Sequence, residues 1–296
     1  MARPRVLLTG GSGFVGRNIL ESGLRDKYEF VSPGHGELDL CDSAAVDSFF
    51  RGRSFDAIVH SAVKPGHRNA KDFSALFYDN VRQFFNLERH AGEVGRMIVM
   101  GSGSVYDPKH YRPRMSEDYF GVHVPDEDAG FFRYVCEKRI EGSENIVDLR
   151  IFGLFGKYED YAIRFISNMM CKCLAGLPLT MNQDRRFDYL YIDDLMPVLE
   201  HFLAGRPAHH AYNVTPDETA SLLDLAHRIL ALSGKDLPIV VRTPGQGPEY
   251  SGDNARLKAE FPAFAPTPIE KSLKELYAWY AQHPELIRRE ELLHDK

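Results

Sequence analysis

Apolar and polar positions alternate between two periods along the first half of the chain. Val6-Leu7-Leu8 is a short unbroken apolar run between Arg5 and a glycine cluster, the form taken by a parallel strand buried on both faces. From Phe14 to about Leu24, the apolar positions Phe14, Val15, Ile19 and Leu24 mark a helix. Glu29 to Ser32, Ala57 to His60, Arg96 to Met100 and Ile146 to Ile151 read as further strands, and a long helix is expected from about Phe73 to Gly92. Strands alternating with helices predict βαβ units and a doubly wound parallel α/β sheet of the Rossmann type. Beyond Gly156 the alternation loosens into a helix over Ile163 to Ala175, a strand over Asp188 to Ile192 and a helix opening at Asp193. Two more helices are expected at Ser221 to Leu232 and Ile269 to Ala281, with a loop at Thr243-Pro-Gly-Gln-Gly-Pro248 between them. The charged tail Arg288 to Lys296 is expected to fray.

Composition narrows the class. Hydrophobic residues make up 44% and charged residues 26%, an ordinary globular balance. Lys plus Arg (36) against Asp plus Glu (42) leaves a net charge of −6, without the basic footprint of a nucleic-acid binder. No apolar run approaches the ~18 residues of a membrane span. Cys41, Cys136, Cys171 and Cys173 have neither zinc spacing nor the density of a disulfide scaffold. Strand character begins almost at Met1, which leaves no room for a signal peptide. The expectation is a cytoplasmic protein in a reducing compartment.

The glycine cluster changes the picture from fold to ligand. Thr9-Gly10-Gly11-Ser12-Gly13-Phe14-Val15-Gly16 lies between the first strand and the first helix. Gly10 permits the tight turn, Gly13 lets the backbone approach a pyrophosphate, and Gly16 lets helix and strand pack closely. The helix N-terminus, at Phe14 and Val15, offers free N–H groups to the phosphates. A dinucleotide is expected here. The second strand ends Ser32-Pro-Gly-His35 with no carboxylate. That favours NADP(H) over NAD(H), with Ser32, His35 or Arg17 available to a ribose phosphate. Asp42 is placed at the adenine edge, with a helix-capping role as the alternative. The domain division follows: 1–156 with about 187–205 as the dinucleotide-binding domain, 157–186 and 206–285 as a smaller C-terminal substrate-binding domain, and 286–296 as a tail.

Tyr134-Val-Cys-Glu-Lys138 is a Y-x-x-x-K spacing, which puts phenol and ammonium on one helix face. A free phenol titrates near ~10; a lysine beside it favours the phenolate and brings it nearer to working pH. Ser102, just past the fourth strand, would stand at the carboxyl end of the sheet, where it can orient a carbonyl oxygen. Tyr134 as proton donor, Lys138 on the nicotinamide ribose and Ser102 on the oxygen form the expected catalytic set. Cys171-Lys-Cys173 and His209-His210 are set aside, since neither pair has further ligands in reach.

Glycine loop, serine after the fourth strand and Y-x-x-x-K, in that order, resemble the extended short-chain dehydrogenase/reductases of the NAD-dependent epimerase/dehydratase type. His60-Ser61-Ala62-Val63 resembles the turn that lines the cofactor in that family, and Asn80 resembles its asparagine on the long helix. Leu149 to Gly156, Asp188 to Asp194 and Tyr212-Asn-Val214 are similar to later family motifs, so the resemblance reaches about residue 282. It implies a nucleotide-sugar substrate and a homodimer formed through the helices carrying Asn80 and Tyr134. Glu37 to Val46 and Ala62-Val-Lys-Pro-Gly66 resemble the 4-keto-sugar reductase branch typified by GDP-fucose synthase. In that branch a cysteine stands where this chain has Ser104, and a histidine follows later; the stretch 158–170 has none. This argues against C3/C5 epimerisation and for simple ketone reduction. A dehydratase is disfavoured by Gly103-Ser104 in place of an acidic pair. The implied substrate contacts are Ser104, Phe152 and Arg186, the last because Phe187 occupies the family's arginine position. The gap from Lys138 to Arg150 is shorter than the family's, which predicts a clipped helix. The expected activity is NADP(H)-dependent reduction of a nucleotide-activated keto sugar. The alternatives are an NAD-dependent 4-epimerase and, from a different class, a non-catalytic cofactor sensor.

Overall fold

A computed structural model describes residues 2–67 and 69–293. The chain opens with β1 (Arg5–Thr9), α1 (Phe14–Glu21), α2 (Leu24–Lys27), β2 (Glu29–Val31), α3 (Ser43–Phe50), β3 (Ala57–His60), α4 (Leu76–Glu88), β4 (Arg96–Ser102), α5 (Asp128–Ile140) and β5 (Ile146–Ile151). It continues through β6 (Gly153–Phe155), α6 (Phe165–Ala175), β7 (Leu179–Asp184), β8 (Arg186–Phe187), β9 (Tyr189–Tyr191), α7 (Leu195–Ala204) and β10 (Ala211–Val214). Last come β11 (Ala220–Ser221), α8 (Leu222–Ser233), β12 (Ile239–Gln246), α9 (Ala255–Glu260), α10 (Ile269–Gln282) and α11 (Arg289–Leu292).

Six parallel strands form the central sheet in the order β10-β5-β4-β3-β1-β2. The doubly wound α/β architecture expected from the alternating pattern is therefore present. Strand pleating sends successive side chains to opposite faces. Leu7, Ile58 and Met97 bury against α3, α4 and α5, while Val6, Leu8, Val59 and Ile98 join the core shared with α6, α7, α8 and α10. The sheet is thus apolar on both faces, which is why its strands read as unbroken runs rather than alternations.

Several boundaries differ from the sequence reading. The first helix stops at Glu21 because Ser22 is extended and its Oγ accepts the Leu24 N–H at 3.2 Å, starting a separate turn. The long helix begins at Leu76, not Phe73: Asp72 caps the Ser74 N–H at 2.8 Å and Ala75 sits at φ 52°. Thr243 to Gln246, expected as loop, continues β12 beside β7, with an irregular register between Thr243 and Gln246. An edge strand tolerates Pro244 because its N–H side needs no ladder partner. Ala211–Val214 is buried at all four positions and joins the central sheet as its sixth strand, although the division at 206 assigned it to the other domain. The described part of the tail is also ordered. Leu292 is buried, the Arg288 N–H donates to the Tyr161 hydroxyl at 2.9 Å, and Arg289 donates to the Ala175 carbonyl. Residues 294–296 lie outside the described residues. No helix among the described residues is long and apolar enough to cross a membrane.

Candidate functional site

The glycine turn is built for close approach. Gly10 adopts φ +73°, and a Cβ there would stand 2.6 Å from the Ala62 nitrogen; at Gly16 a Cβ would stand 2.2 Å from the Gly10 carbonyl oxygen. Only glycine fits either place. Gly13 begins α1 with extended backbone, and no side chain caps the helix, so the first-turn N–H groups at Phe14, Val15 and Gly16 face outward for an anion. This bare cradle, walled by the Ser61-Ala62-Val63 turn, fits a dinucleotide pyrophosphate. Thr9 Oγ1 bonds the His60 ring at 2.8 Å and accepts the Ala62 N–H at 3.3 Å, which pins that turn to β1. Burial pushes the His60 imidazole down to about 4, so the ring is neutral. Asn80 is buried and spends its amide on Leu76 and on both backbone groups of Lys64. It holds the turn after β3 in place.

The residues expected at the ribose end have different surroundings. Ser32 lies under Gly11, where a Cβ would meet its Oγ at 1.9 Å. His35 is exposed, and the Arg17 guanidinium stacks 3.6 Å from the Tyr158 ring centroid. Asp42 caps α3, accepting the N–H groups of Ala44 at 2.9 Å and Ala45 at 3.1 Å. That is the capping alternative, and it engages Oδ1 of the carboxylate. One carboxylate that the strand-end reading passed over is nearby: Glu37 accepts the Gly34 N–H at 2.8 Å.

α5 carries two stripes. Arg133, Cys136, Glu137 and Ile140 line a cavity together with Ala62, Asn80, Met100, Gly101 and Asp148. Tyr134 and Lys138 sit one position further round, about 100° away on a helix of 3.6 residues per turn. Their side chains share a face, as the spacing predicts, with Lys138 Nζ 5.7 Å from the Tyr134 ring centroid. That face meets the loop at Phe120: the Tyr134 and Phe120 rings are 5.2 Å apart, and Lys138 pairs with Glu141 at 2.9 Å. Neither lines the cavity. α5 is also not clipped; it runs 13 residues, and the Y-x-x-x-K pair lies in its second half, which accounts for the short gap to Arg150.

Behind the cavity is a buried charge network. Arg150 donates to Glu137 through Nε (3.2 Å) and Nη2 (2.5 Å), with both side chains 3% exposed or less. Asp148 lies directly beneath Gly101, where a Cβ would be 1.9 Å from its Oδ1. Burial first, and then the Glu137 carboxylate, holds the Asp148 carboxyl well above the usual carboxylate range. Sequence reading missed Glu137, Asp148 and Arg133. Charged residues inside an apolar strand, as in Ile146-Val-Asp-Leu-Arg-Ile151, were the available signal.

Ser102 ends β4 with its Oγ accepting the Ser104 N–H at 3.2 Å. It faces a cluster of aromatic side chains. A Cβ on Gly103 would be 2.7 Å from both the Phe152 ring and the Tyr250 hydroxyl. Phe152, expected at the substrate, is instead buried beneath Gly103 and Gly252 and supports the Tyr250 ring 5.1 Å away. The Tyr250 ring also packs 5.0 Å from the Tyr111 ring, and burial pushes its phenol up to about 12. Asp188 fixes this segment: it accepts the Gly252 N–H at 2.6 Å and the Thr215 hydroxyl, and burial raises it to about 7. Arg186 spends Nε and Nη2 on Thr219 at 2.9 and 2.7 Å and lies 3.9 Å from Glu249. Its guanidinium is engaged by protein partners at the cleft rim rather than left open. Ser104 is half-buried beside Ser102. Among the described residues, no group of three acidic, histidine or cysteine side chains could hold a metal.

Residues 6–215 match the family described as NAD dependent epimerase/dehydratase family. GDP-L-colitose synthase of Yersinia pseudotuberculosis is 30% identical over 214 residues, covering 64% of this chain and 69% of that protein. GDP-L-fucose synthase of Azorhizobium caulinodans is 32% identical over 106 residues, about a third (34%) of each chain. Among solved structures, MlghC, the GDP-mannoheptose C4 reductase from Campylobacter jejuni with NADP bound, superposes with a TM-score of 0.82 at 17% identity, over 95% of this chain and 99% of that one. The likeness in fold spans nearly the whole molecule, and the likeness in sequence spans the sheet and the glycine cradle. The chain belongs to the NAD dependent epimerase/dehydratase family.

Proposed function

We propose that this protein is an NADP(H)-dependent reductase of a nucleotide-activated 4-keto sugar. The observation that carries the reading is the pairing of a bare glycine cradle with Ser102 and phenolic hydroxyls at the carboxyl end of β4. The stretch 158–170, where the reductase branch carries the histidine that would serve C3/C5 epimerisation, contains none. The relatives named as GDP-sugar synthases support the substrate class. Gly10, Gly13, Phe14, Val15 and Gly16 would hold the pyrophosphate, and the turn at Ser61 to Val63 would flank the cofactor. A bound reduced nicotinamide supplies hydride. Ser102 orients the ketone oxygen, because a hydroxyl at a strand end stabilises charge developing there. Domain roles follow: residues 1–156 with about 187–205 serve the cofactor, and 157–186 with 206–285, the β10 strand apart, serve the sugar nucleotide. The reading includes a cytoplasmic homodimer packed through α4 and α5, supported by exposed Tyr78 and Phe131 on those helices.

The test is NADPH absorbance with purified protein and a panel of nucleotide 4-keto sugars. Stoichiometric oxidation with one of them is expected. One observation favours a second reading: Glu37 beside Gly34 places negative charge near the end of β2, which suits NAD over NADP. Tightly held NAD and interconversion of C4 epimers, with no NADPH consumption, would replace the reductase with an epimerase.

A further inference from the structure

A cavity of about 280 Å³ opens at the amino ends of the central strands, where β4 and β5 begin and the link from α7 to β10 passes them. The glycine cradle and Ser102 lie at the carboxyl ends instead. Ser102 closes the same strand that Arg96 opens, ~20 Å away at the rise of a strand, so this cavity is separate from the cleft.

Two arginines line it. Of the Arg96 guanidinium nitrogens, only Nη1 has a protein acceptor, the Phe202 carbonyl at 2.6 Å. Its Nε is buried with no partner, which costs free energy. Arg206 is exposed and has no hydrogen bond or ion pair among the described residues. Burial first, and then the Arg206 guanidinium, pushes Arg96 below the ordinary arginine range. The one carboxylate on the wall, Glu144, is exposed and pairs with neither arginine. His209 and His210, set aside above as metal ligands, line the same wall and add ring N–H donors. Their segment is fixed at three successive residues. The Ala208 N–H donates to Glu260 at 3.1 Å, the His209 N–H donates to the Tyr212 hydroxyl at 2.9 Å, and the His210 carbonyl accepts the Asp148 N–H at 2.8 Å.

We infer that this cavity is a second ligand site, which takes a small phosphate-bearing anion between Arg96 and Arg206. A guanidinium meets phosphate oxygens two at a time, and neither arginine has a carboxylate to release first. The anion also removes the repulsion between the two cations. The volume lies just under the ~300–1,000 Å³ of pockets for drug-sized ligands. It suits a free phosphate, a pyrophosphate or a sugar phosphate, and it is too small for a whole nucleotide sugar. A ligand here would tie the first residues of β4 and β5 to the link before β10, three adjacent strands of the sheet. Occupancy therefore stabilises the folded chain by mass action. None of these residues serves the reductase reading, so the site stands or falls apart from it.

The test is calorimetric titration of the 296-residue chain with inorganic phosphate, pyrophosphate and glucose 1-phosphate at fixed ionic strength, with and without saturating NADPH. Pyrophosphate should bind with a Kd of about 1 mM or tighter, and that binding should survive NADPH, whose own pyrophosphate the glycine cradle would hold. Arg206→Gln should weaken it about tenfold and leave the thermal midpoint of the unliganded protein in place, because the side chain it removes is exposed and unpaired. Glu144→Gln should tighten it about two- to fivefold. Tighter binding of glucose 1-phosphate than of inorganic phosphate would support a sugar phosphate as the ligand, and equal binding would support the phosphate group alone. No heat with any of the three up to about 10 mM, displacement of pyrophosphate by NADPH, or an affinity unchanged in Arg206→Gln would overturn the site. A chain that fails to bind NADPH would overturn the reductase reading alone, since Arg206→Gln decides this site without cofactor.

Discussion

The two walls of the cleft are made in different ways. The wall at the glycine cradle is local: Thr9 to Gly16 builds it from consecutive residues, and its shape depends on backbone that approaches within 2.2 to 2.6 Å of where a Cβ would be. The opposite wall is assembled across the chain. Ser102, Arg133, Phe152, Asp188 and Tyr250 come from five stretches, and buried carboxyls and packed rings hold them in register. A local wall fails through one bad residue, while an assembled wall fails through its supports.

That contrast can be broken hardest at Arg150. Arg150→Met would leave Glu137 buried without its partner, at a cost of about 3–5 kcal/mol, read as a large drop in urea midpoint. Gly16→Ala tests the local wall. Its Cβ would meet rigid backbone, a strain of about 1–3 kcal/mol, and NADPH affinity measured by fluorescence should fall about tenfold or more. If affinity held, the cradle would not be the cofactor site.

Two buried carboxyls should show in pH dependence, Asp188 in the assembled wall and Glu159, which accepts the Ser167 hydroxyl of α6 at 2.6 Å. Burial raises Glu159 to about 8 and Asp188 to about 7 in the folded protein. The native state therefore binds protons that the unfolded chain releases near its ordinary carboxyl values, and stability falls as pH rises from about 5 to about 8. Each group contributes at most about 1.4 kcal/mol per pH unit. Urea midpoints across this range should flatten in Glu159→Gln, and a slope that persists unchanged would remove Glu159 from the account. The smallest effect concerns Asp42. Asp42→Ala should cost about 1 kcal/mol as a lost helix cap and leave NADPH affinity untouched, whereas weakened cofactor binding would return Asp42 to the adenine edge.

Much of the glycine-cradle wall was legible in the chain. Strand, glycine turn and helix follow one another within the first twenty-odd residues, and each is specified by near neighbours. α5 shows why the other wall was not. Phe131, Phe132, Tyr134, Val135, Cys136 and Ile140 ring the helix, so no apolar stripe identifies which side turns inward. The Y-x-x-x-K spacing established that Tyr134 and Lys138 share a face but could not say what that face meets. Tyr250 had still less to mark it, lying in Gly-Pro-Glu-Tyr-Ser-Gly252 after a segment that read as loop.

By itself the sequence determined the parallel α/β scaffold, the glycine cradle, Ser102 at a strand end and the family motifs, because period, turn chemistry and spacing act between residues close along the chain. Tertiary structure alone decided the rotation of α5, the burial of Phe152 under two glycines and the packing of Tyr250 on Phe152. Those depend on which of several apolar surfaces packs against which, and on where buried charges find partners, choices made only when segments more than a hundred residues apart come together.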